Sequence, residues 1–301
     1  MSESVSSQSS NSSSSSSEDT DEIAFTDAAG NTVYIPFPLY GYETSVYMGM
    51  KISDKLANGT YRIYDRGVGY DYRTCRCMFL LNRANSEQLH DMFKDADKAR
   101  AFSVTMTLPS GSGFFPFGPD KGDAGAFRCR LIGLDHLGTS DNPKGWFRTE
   151  ITLVAESYPA YSVEDAVADG PIQIGTVTGL RWPDSGVSPD YRYAFNTTLT
   201  ADGTPYTIDK WTNADSYETN LNLTLNDRGA QRLINHLVGT VRGGQFNILA
   251  VNNGYIFGID LVTTGYYYVC RMIDNELSII HNGINDFSVT LRAALEDTTA
   301  V

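Results

Sequence analysis

The sequence predicts a mainly β protein with short helices (α+β), built as two tandem copies of one domain, each flanked by one helix. Three observations point there. Aromatic and β-branched residues are frequent, with 18 Tyr and 14 Phe among 301 residues, and Gly, Asn and Asp punctuate them at short intervals. Only two stretches carry helical spacing. The order of these elements then recurs along the chain at a nearly constant offset.

The strands show as alternation. Phe102-Ser-Val104-Thr-Met106-Thr-Leu108, Phe147-Arg-Thr149-Glu-Ile151-Thr-Leu153 and Leu221-Asn-Leu223-Thr-Leu225 each turn one face inward at period two. The first helix is expected from about Ser86 to Arg100, with Leu89, Phe93 and Ala96 on one face. The second is expected from about Arg228 to Leu237, with Leu233, Ile234 and Leu237 spaced the same way. Asn85 or Ser86, and Asn226 or Asp227, are the expected N-caps.

An offset of 144 pairs Asp65-Arg66 with Asp209-Lys210, Leu81-Asn82 with Leu225-Asn226, Leu89 with Leu233, Phe93 with Leu237 and Phe102 with Phe246. An offset of 141 pairs Phe127–Ile132 with Tyr268–Ile273, and an offset of 140 pairs Phe147 with Phe287, Ile151 with Leu291 and Glu156 with Glu296. The drift is four residues lost in loops, where loss is tolerated. These anchors in unbroken order read as duplication.

The expected organisation follows. Residues 1–22 hold 12 serines, five acids and no Lys or Arg, a composition that does not offset the entropy of ordering, so this tail is expected to be disordered. Residues 23–157 form the first β-rich copy, and the acidic, two-proline stretch 158–171 is a linker. Residues 172–297 form the second copy, and 298–301 a short C-terminal tail.

Charge narrows the function classes. With 23 Lys+Arg against 36 Asp+Glu the net charge is −13, of which the tail supplies −5. That balance is wrong for a protein that grips phosphate backbones, so no sequence-specific nucleic-acid partner is expected. No run approaches the roughly 18–20 apolar residues that span a bilayer, so no membrane partner is expected either. The first residues lack the basic and apolar regions of a secretory signal.

Chemistry is sparse. Cys75 and Cys77 share one strand face, while Cys129 and Cys270 occupy equivalent strands; all four read as small core hydrophobes. His90, His136, His236 and His281 form no metal-ligand spacing, and no nucleophile elbow or phosphate loop occurs. Asp120 and Asp123 offer oxygens, but the Asp-x-Asp-x-Asp-Gly spacing of a calcium loop is missing. No catalytic residue, metal or cofactor is expected. A carbohydrate- or receptor-binding module stays open as an alternative, with Tyr40, Tyr42, Tyr47, Tyr266, Tyr267 and Tyr268 as candidate stacking platforms. An enzyme would need two carboxylates converging in a cleft.

The loop from Gly111 to Gly125 is the most unusual segment. Phe114, Phe115 and Phe117 are too apolar for a free tip, so they fold over the end of the domain or pack on a neighbouring subunit. The second copy carries a shorter version in Gly254–Gly258, with Tyr255 and Phe257. These five aromatics are the expected interface residues. Replacing the three phenylalanines by serine is expected to weaken assembly and leave each domain folded.

The first copy also has a familiar order. Arg66-Gly-Val-Gly-Tyr70 leads into a strand ending Met-Phe-Leu-Leu (78–81), followed by a helix with Glu87, Leu89 and Phe93. Then come the Phe102 strand, the turn Phe-Pro-Phe-Gly-Pro (115–119), the Phe127–Leu131 strand and a final strand from Trp146 to Leu153. This order resembles the distal tail or minor tail-tip (baseplate ring) proteins of long-tailed bacteriophages over 61–156, with a fainter echo over 205–296. The second copy departs from it, lacking the glycine-rich opening and the proline turn.

The resemblance implies a split β-barrel or sandwich in each copy and a structural virion role at the tail tip, in a protein made in the host cytoplasm. It implies a ring of three or six chains that joins the tail tube to the tip or hub proteins, with no catalytic set to transfer. A negatively charged lumen would let DNA slide through without a specific site.

Overall fold

The computed structural model describes residues 22–55, 61–94, 104–136, 145–157, 170–181, 187–192, 195–199, 205–209, 216–250, 256 and 266–300. The first half holds β1 (Glu22–Thr26), β2 (Thr32–Pro36), β3 (Tyr42–Tyr47), the hairpin β4 (Met50–Lys55) and β5 (Tyr61–Asp65), and β6 (Tyr72–Asn82). The helix α1 (Arg83–Lys94), β7 (Val104–Leu108), β8 (Gly125–His136) and β9 (Trp146–Ser157) complete it.

The second half holds β10 (Gly170–Ile174), β11 (Val177–Gly179), β12 (Val187–Arg192), the hairpin β13 (Phe195–Leu199) and β14 (Pro205–Asp209), and β15 (Ser216–Leu225). Then come the helix α2 (Asp227–Ile234), continued by a π-helical turn (Asn235–Val241), and β16 (Gln245–Ala250), β17 (Tyr266–Met272), β18 (Glu276–Gly283) and β19 (Asp286–Ala300). The protein is therefore mainly β with few short helices, and among the described residues no helix is long and apolar enough to cross a membrane.

Every pair in the large sheet is antiparallel, and strands of both halves lie in it. In the first half β1 pairs with β2 and β7, β8 with β7 and β9, and β6 with β9 and β3. In the second half β10 pairs with β11 and β16, β17 with β16 and β19, and β15 with β19 and β12. The halves meet where β3 pairs with β18 over six residues, from Tyr42 opposite His281 to Tyr47 opposite Glu276. Expected as separate domains, the two stretches share one sheet.

Burial follows the period-two reading. Along β6 the inward positions are Arg73, Cys75, Cys77, Phe79 and Leu81. Leu221, Leu223 and Leu225 of β15 and Phe287, Val289 and Leu291 of β19 are buried in the same alternation. Two cores result. One contains first-half residues alone, among them Phe25, Phe79, Leu89, Met106 and Phe127. The other belongs mainly to the second half but takes in Val46, Met48, Met50 and Phe115 from the first. All four cysteines are buried and free, three in the first core and Cys270 in the second.

Several boundaries differ from expectation. The helix α1 begins at Arg83, because Asn82 at the strand end caps it: its Oδ1 accepts from Asn85 N–H at 2.8 Å, so neither Asn85 nor Ser86 is the cap. In α2 the expected cap Asn226 is the cap, its Oδ1 accepting from Gly229 N–H at 2.8 Å. β19 runs through Ala300, so the expected tail at 298–301 is strand as far as that residue, held by β17 through Thr298, Thr299 and Ala300. Glu22 of the expected disordered tail already pairs with Pro36. The rest of that tail, residues 95–103, and 158–169 of the expected linker lie outside the described residues.

Asn82→Ala and Asn226→Ala should each lower stability by about 1 kcal/mol in urea unfolding. A loss at Asn226 with none at Asn82 would contradict the shared capping role.

Candidate functional site: the junction between the halves

The junction is built where inward strand positions carry polar side chains. Arg73 on β6, Thr44 on β3 and His281 on β18 all point into the core, and each meets the loop that joins β7 to β8. Arg73 forms a two-pronged ion pair with Asp120, with Nη2 donating to Oδ2 at 2.7 Å, and its Nη1 also donates to the Phe117 carbonyl at 2.7 Å. Both side chains are buried, so neither charge has water to turn to. Gly118 sits between them at φ 96°, where an added Cβ would lie 3.0 Å from the Asp120 carboxylate and 3.1 Å from the Arg73 guanidinium. Only a glycine meets both demands.

The pinned loop carries the three phenylalanines inward. Phe114, Phe115 and Phe117 are 2%, 8% and 0% exposed. Phe114 meets Tyr42 edge-on at 4.9 Å and Phe117 packs on Phe127 at 5.9 Å, both in the first core. Phe115 crosses into the second core and meets Phe287 edge-on at 5.3 Å. Its N–H donates to the Tyr42 hydroxyl at 3.0 Å. These rings, expected as contacts between chains, are buried within one chain, and Phe115 joins the two halves, its loop pinned by the ion pair. Of the other expected interface residues, Tyr255 and Phe257 lie outside the described residues; Ile256 between them is buried.

His281 is the other buried polar group here. The Thr44 hydroxyl donates to the Pro116 carbonyl at 3.1 Å, so its oxygen accepts from His281 Nε2 at 3.0 Å. The ring stacks on Tyr42 at 4.1 Å. Its Nδ1 has no hydrogen-bond partner, and burial pushes its pKa down to about 3. The histidine is therefore a neutral, packed ring and not a proton carrier near neutral pH.

A second tie lies at the far end of β3. Arg242, held at φ 42° after the π-helical turn, reaches back across the junction. Its guanidinium donates to Asp65 at 2.9 and 3.1 Å and to Asp71 at 2.5 and 3.1 Å. These donations hold the Asp65 carboxyl down at about 2. Asp71 also accepts from Gly49 N–H at 2.7 Å. Sequence reading singled out Asp65 as a repeat anchor but missed Arg242, whose role depends on the turn it ends.

Beside this tie lies an open cleft of ≈ 550 Å³, bordered by Met48, Met50, Tyr70, Tyr72, Ile273 and Asp274. Tyr70 and Tyr72 are exposed along it. Of the tyrosines expected as platforms, Tyr42 and Tyr268 are buried in the cores, Tyr47 stacks on Tyr72 at 4.5 Å, and Tyr40 is exposed. Asp120 is committed to Arg73, and Asp123 accepts from Gly113 N–H at 3.0 Å. Among the described residues, no three His, Cys, Asp or Glu side chains are grouped to hold a metal ion. His90 stands beside Asp91, and His236 contacts Thr176 through Nδ1 at 3.2 Å.

Comparison with known protein families and with curated proteins finds no match to this chain. What the junction does is hold: it combines six residues of backbone pairing, a buried ion pair, an aromatic bridge and an Arg–Asp clamp.

Two outcomes follow. Asp120→Ala should cost about 3–5 kcal/mol in chemical denaturation, because Arg73 stays buried without its partner, whereas the paired change Arg73→Met with Asp120→Leu should cost clearly less. Equal losses would refute the ion-pair account. The triple change of Phe114, Phe115 and Phe117 to serine should abolish folding rather than assembly alone.

His281 dominates the pH dependence in mild acid, and His236, whose pKa burial also lowers, acts in the same sense. The folded pKa of His281 lies below the ordinary value of 6.5, so only the unfolded chain takes up a proton between pH 6.5 and 3. Stability from this group is fully present above pH 6.5 and falls by up to about 1.4 kcal/mol per unit below it. Denaturation midpoints measured from pH 7 to 4.5 should show at least that slope, and His281→Gln should reduce it, leaving the smaller part due to His236.

Proposed function

We propose that this chain is a structural virion component of a long-tailed bacteriophage, a ring-forming distal tail or tail-tip (baseplate) protein that joins the tail tube to the tip complex. Each half is one copy of a duplicated split β-barrel or sandwich domain flanked by its helix. The reading rests on the sequence order that resembles that family over 61–156. The observation that carries it is the repeated pairing scheme: β3–β6, β6–β9, β9–β8, β8–β7, β7–β1 and β1–β2 have counterparts in β12–β15, β15–β19, β19–β17, β17–β16, β16–β10 and β10–β11. Two like units joined side by side through sheet edges suit a ring, in which each edge finds a neighbour.

Three two-domain chains supply six units, and six chains supply two such layers. Fusing two units makes half of the contacts intramolecular and raises their effective concentration. The partners in this reading are further copies of the chain, the tail tube and the tip or hub proteins. The work is assembly and the function requires no turnover. The net charge of −13 suits a lumen through which DNA passes without being held.

A second reading has one observation in its favour. Tyr70 and Tyr72 are exposed on the open cleft beside Asp274, an arrangement that suits stacking on a sugar ring. In that case the chain is a carbohydrate- or receptor-binding module of a phage particle.

Native mass spectrometry of the purified chain, with negative-stain imaging of the main species, separates the two. Closed species of three or six chains are expected. A monomer at every concentration, with glycan binding lost in Tyr70→Ala, would favour the second reading.

A further inference from the structure

The open cleft beside the Arg242 tie is walled by both halves of the chain. Met48, Met50, Tyr70 and Tyr72 come from the first half, Ile273 and Asp274 from the second. The walls are joined where Met48 N–H donates to the Asn275 carbonyl at 2.8 Å. Met48 and Met50 are buried, so the inner lining is apolar.

Tyr70 is held by a close approach that a glycine permits. It ends the 3₁₀ turn Val68–Tyr70, its N–H donating to the Gly67 carbonyl at 3.1 Å. A Cβ added at Gly49 would lie 2.5 Å from the Tyr70 Cβ and 3.0 Å from its carbonyl carbon. Any larger residue at position 49 therefore displaces the tyrosine. The Gly49 N–H is fixed in turn by Asp71, the residue after Tyr70, and Arg242 grips Asp71. Tyr72 is fixed by the ring of Tyr47 stacked against it at 4.5 Å. Both cleft tyrosines are thus set in place, yet both stay exposed. An exposed ring that is already ordered offers a stacking surface at small entropic cost.

Two cations complete the rim. Lys51 and Arg66 line the cleft and are exposed, and among the described residues neither side chain enters a hydrogen bond or ion pair. The carboxylates around them are already engaged. Asp274 faces Arg292 at 3.5 Å, Asp65 and Asp71 are held by Arg242, and Glu276 accepts from the Tyr47 hydroxyl. Arg66 and Tyr70 stand at the two ends of one short turn, which puts an unengaged guanidinium and an aromatic face on the same segment.

We propose that this cleft binds an acidic glycan, with a sugar ring stacked on Tyr70 and the anionic group of the sugar held by Arg66 and Lys51. The fork of the guanidinium suits a carboxylate or a phosphate. The proposal rests on the sugar-binding reading of the cleft, names the class of sugar, and is independent of whether the chain forms a ring.

The test is titration calorimetry of the full chain with three probes: a galacturonic acid trisaccharide, a hexose phosphate and a neutral glucose trisaccharide. At least one acidic probe should bind more tightly than the neutral one, and the comparison of the two identifies the anionic group. Added salt should weaken that binding. Arg66→Gln and Lys51→Gln should each weaken it about fivefold. Tyr70→Ala should weaken it about tenfold or more. Thermal unfolding of the three variants should stay unchanged, because these side chains are exposed.

If the neutral sugar binds as tightly as the acidic ones and Arg66→Gln has no effect, the acidic class is wrong while the sugar-binding reading stands. If no probe binds, or if binding survives Tyr70→Ala, that reading of the cleft falls and this proposal with it.

Discussion

Every feature of the junction answers one constraint: a β-strand edge is a row of backbone donors and acceptors that must be paired, solvated or covered. β3 has such an edge in the middle of the chain, and β18 covers it through residues brought together from opposite ends of the sequence, Thr44 and His281 being 237 positions apart. Closing so long a loop has an entropic cost of the same order as the gain from six residues of backbone pairing. Additional ties secure the join: Phe115 inserted in the second core, Arg242 clamped on Asp65 and Asp71, and the loop held in place by Arg73 and Asp120.

The polar groups at the junction are placed by strand periodicity and not by surface chemistry. Arg73, Thr44 and His281 occupy inward positions of otherwise apolar strands. A buried guanidinium requires a carboxylate, and the loop supplies Asp120 through a glycine turn that no other residue fits as well. Once Asp120 is fixed, the phenylalanines three, five and six residues before it are carried inward, Phe114 and Phe117 into the first core and Phe115 into the second. The unusual loop is thus an internal strap. A buried ion pair contributes little net stability against a packed apolar pair, and its value here is in fixing one register and one loop position.

Much of the fold was legible in the sequence. Alternation located β7, β9 and β15, and helical spacing located the starts of α1 and α2 to within a few residues. The caps were half legible: pairing Leu81-Asn82 with Leu225-Asn226 already aligned the two capping asparagines, yet single-segment reading put the first cap three residues late. The candidate site was legible in its residues and not in its geometry. An aromatic loop reads as surface-seeking unless its anchor is known, and the anchor, an arginine at an inward strand position, is visible only once the alternation through Arg73, Cys75 and Cys77 is followed back by one step. The β3–β18 pairing has no local signal, because any two antiparallel edges of similar length present the same backbone groups.

Amide hydrogen exchange of the full chain tests the central claim that the β3–β18 pairing ties the two halves together. The account predicts that the amides of β3 and β18 are protected as strongly as those of their neighbours β6 and β19, and that Asp120→Ala lowers the protection of β3 and β18 together. Fast exchange along β3 and β18 in the unaltered chain, with β6 and β19 still protected, would contradict it.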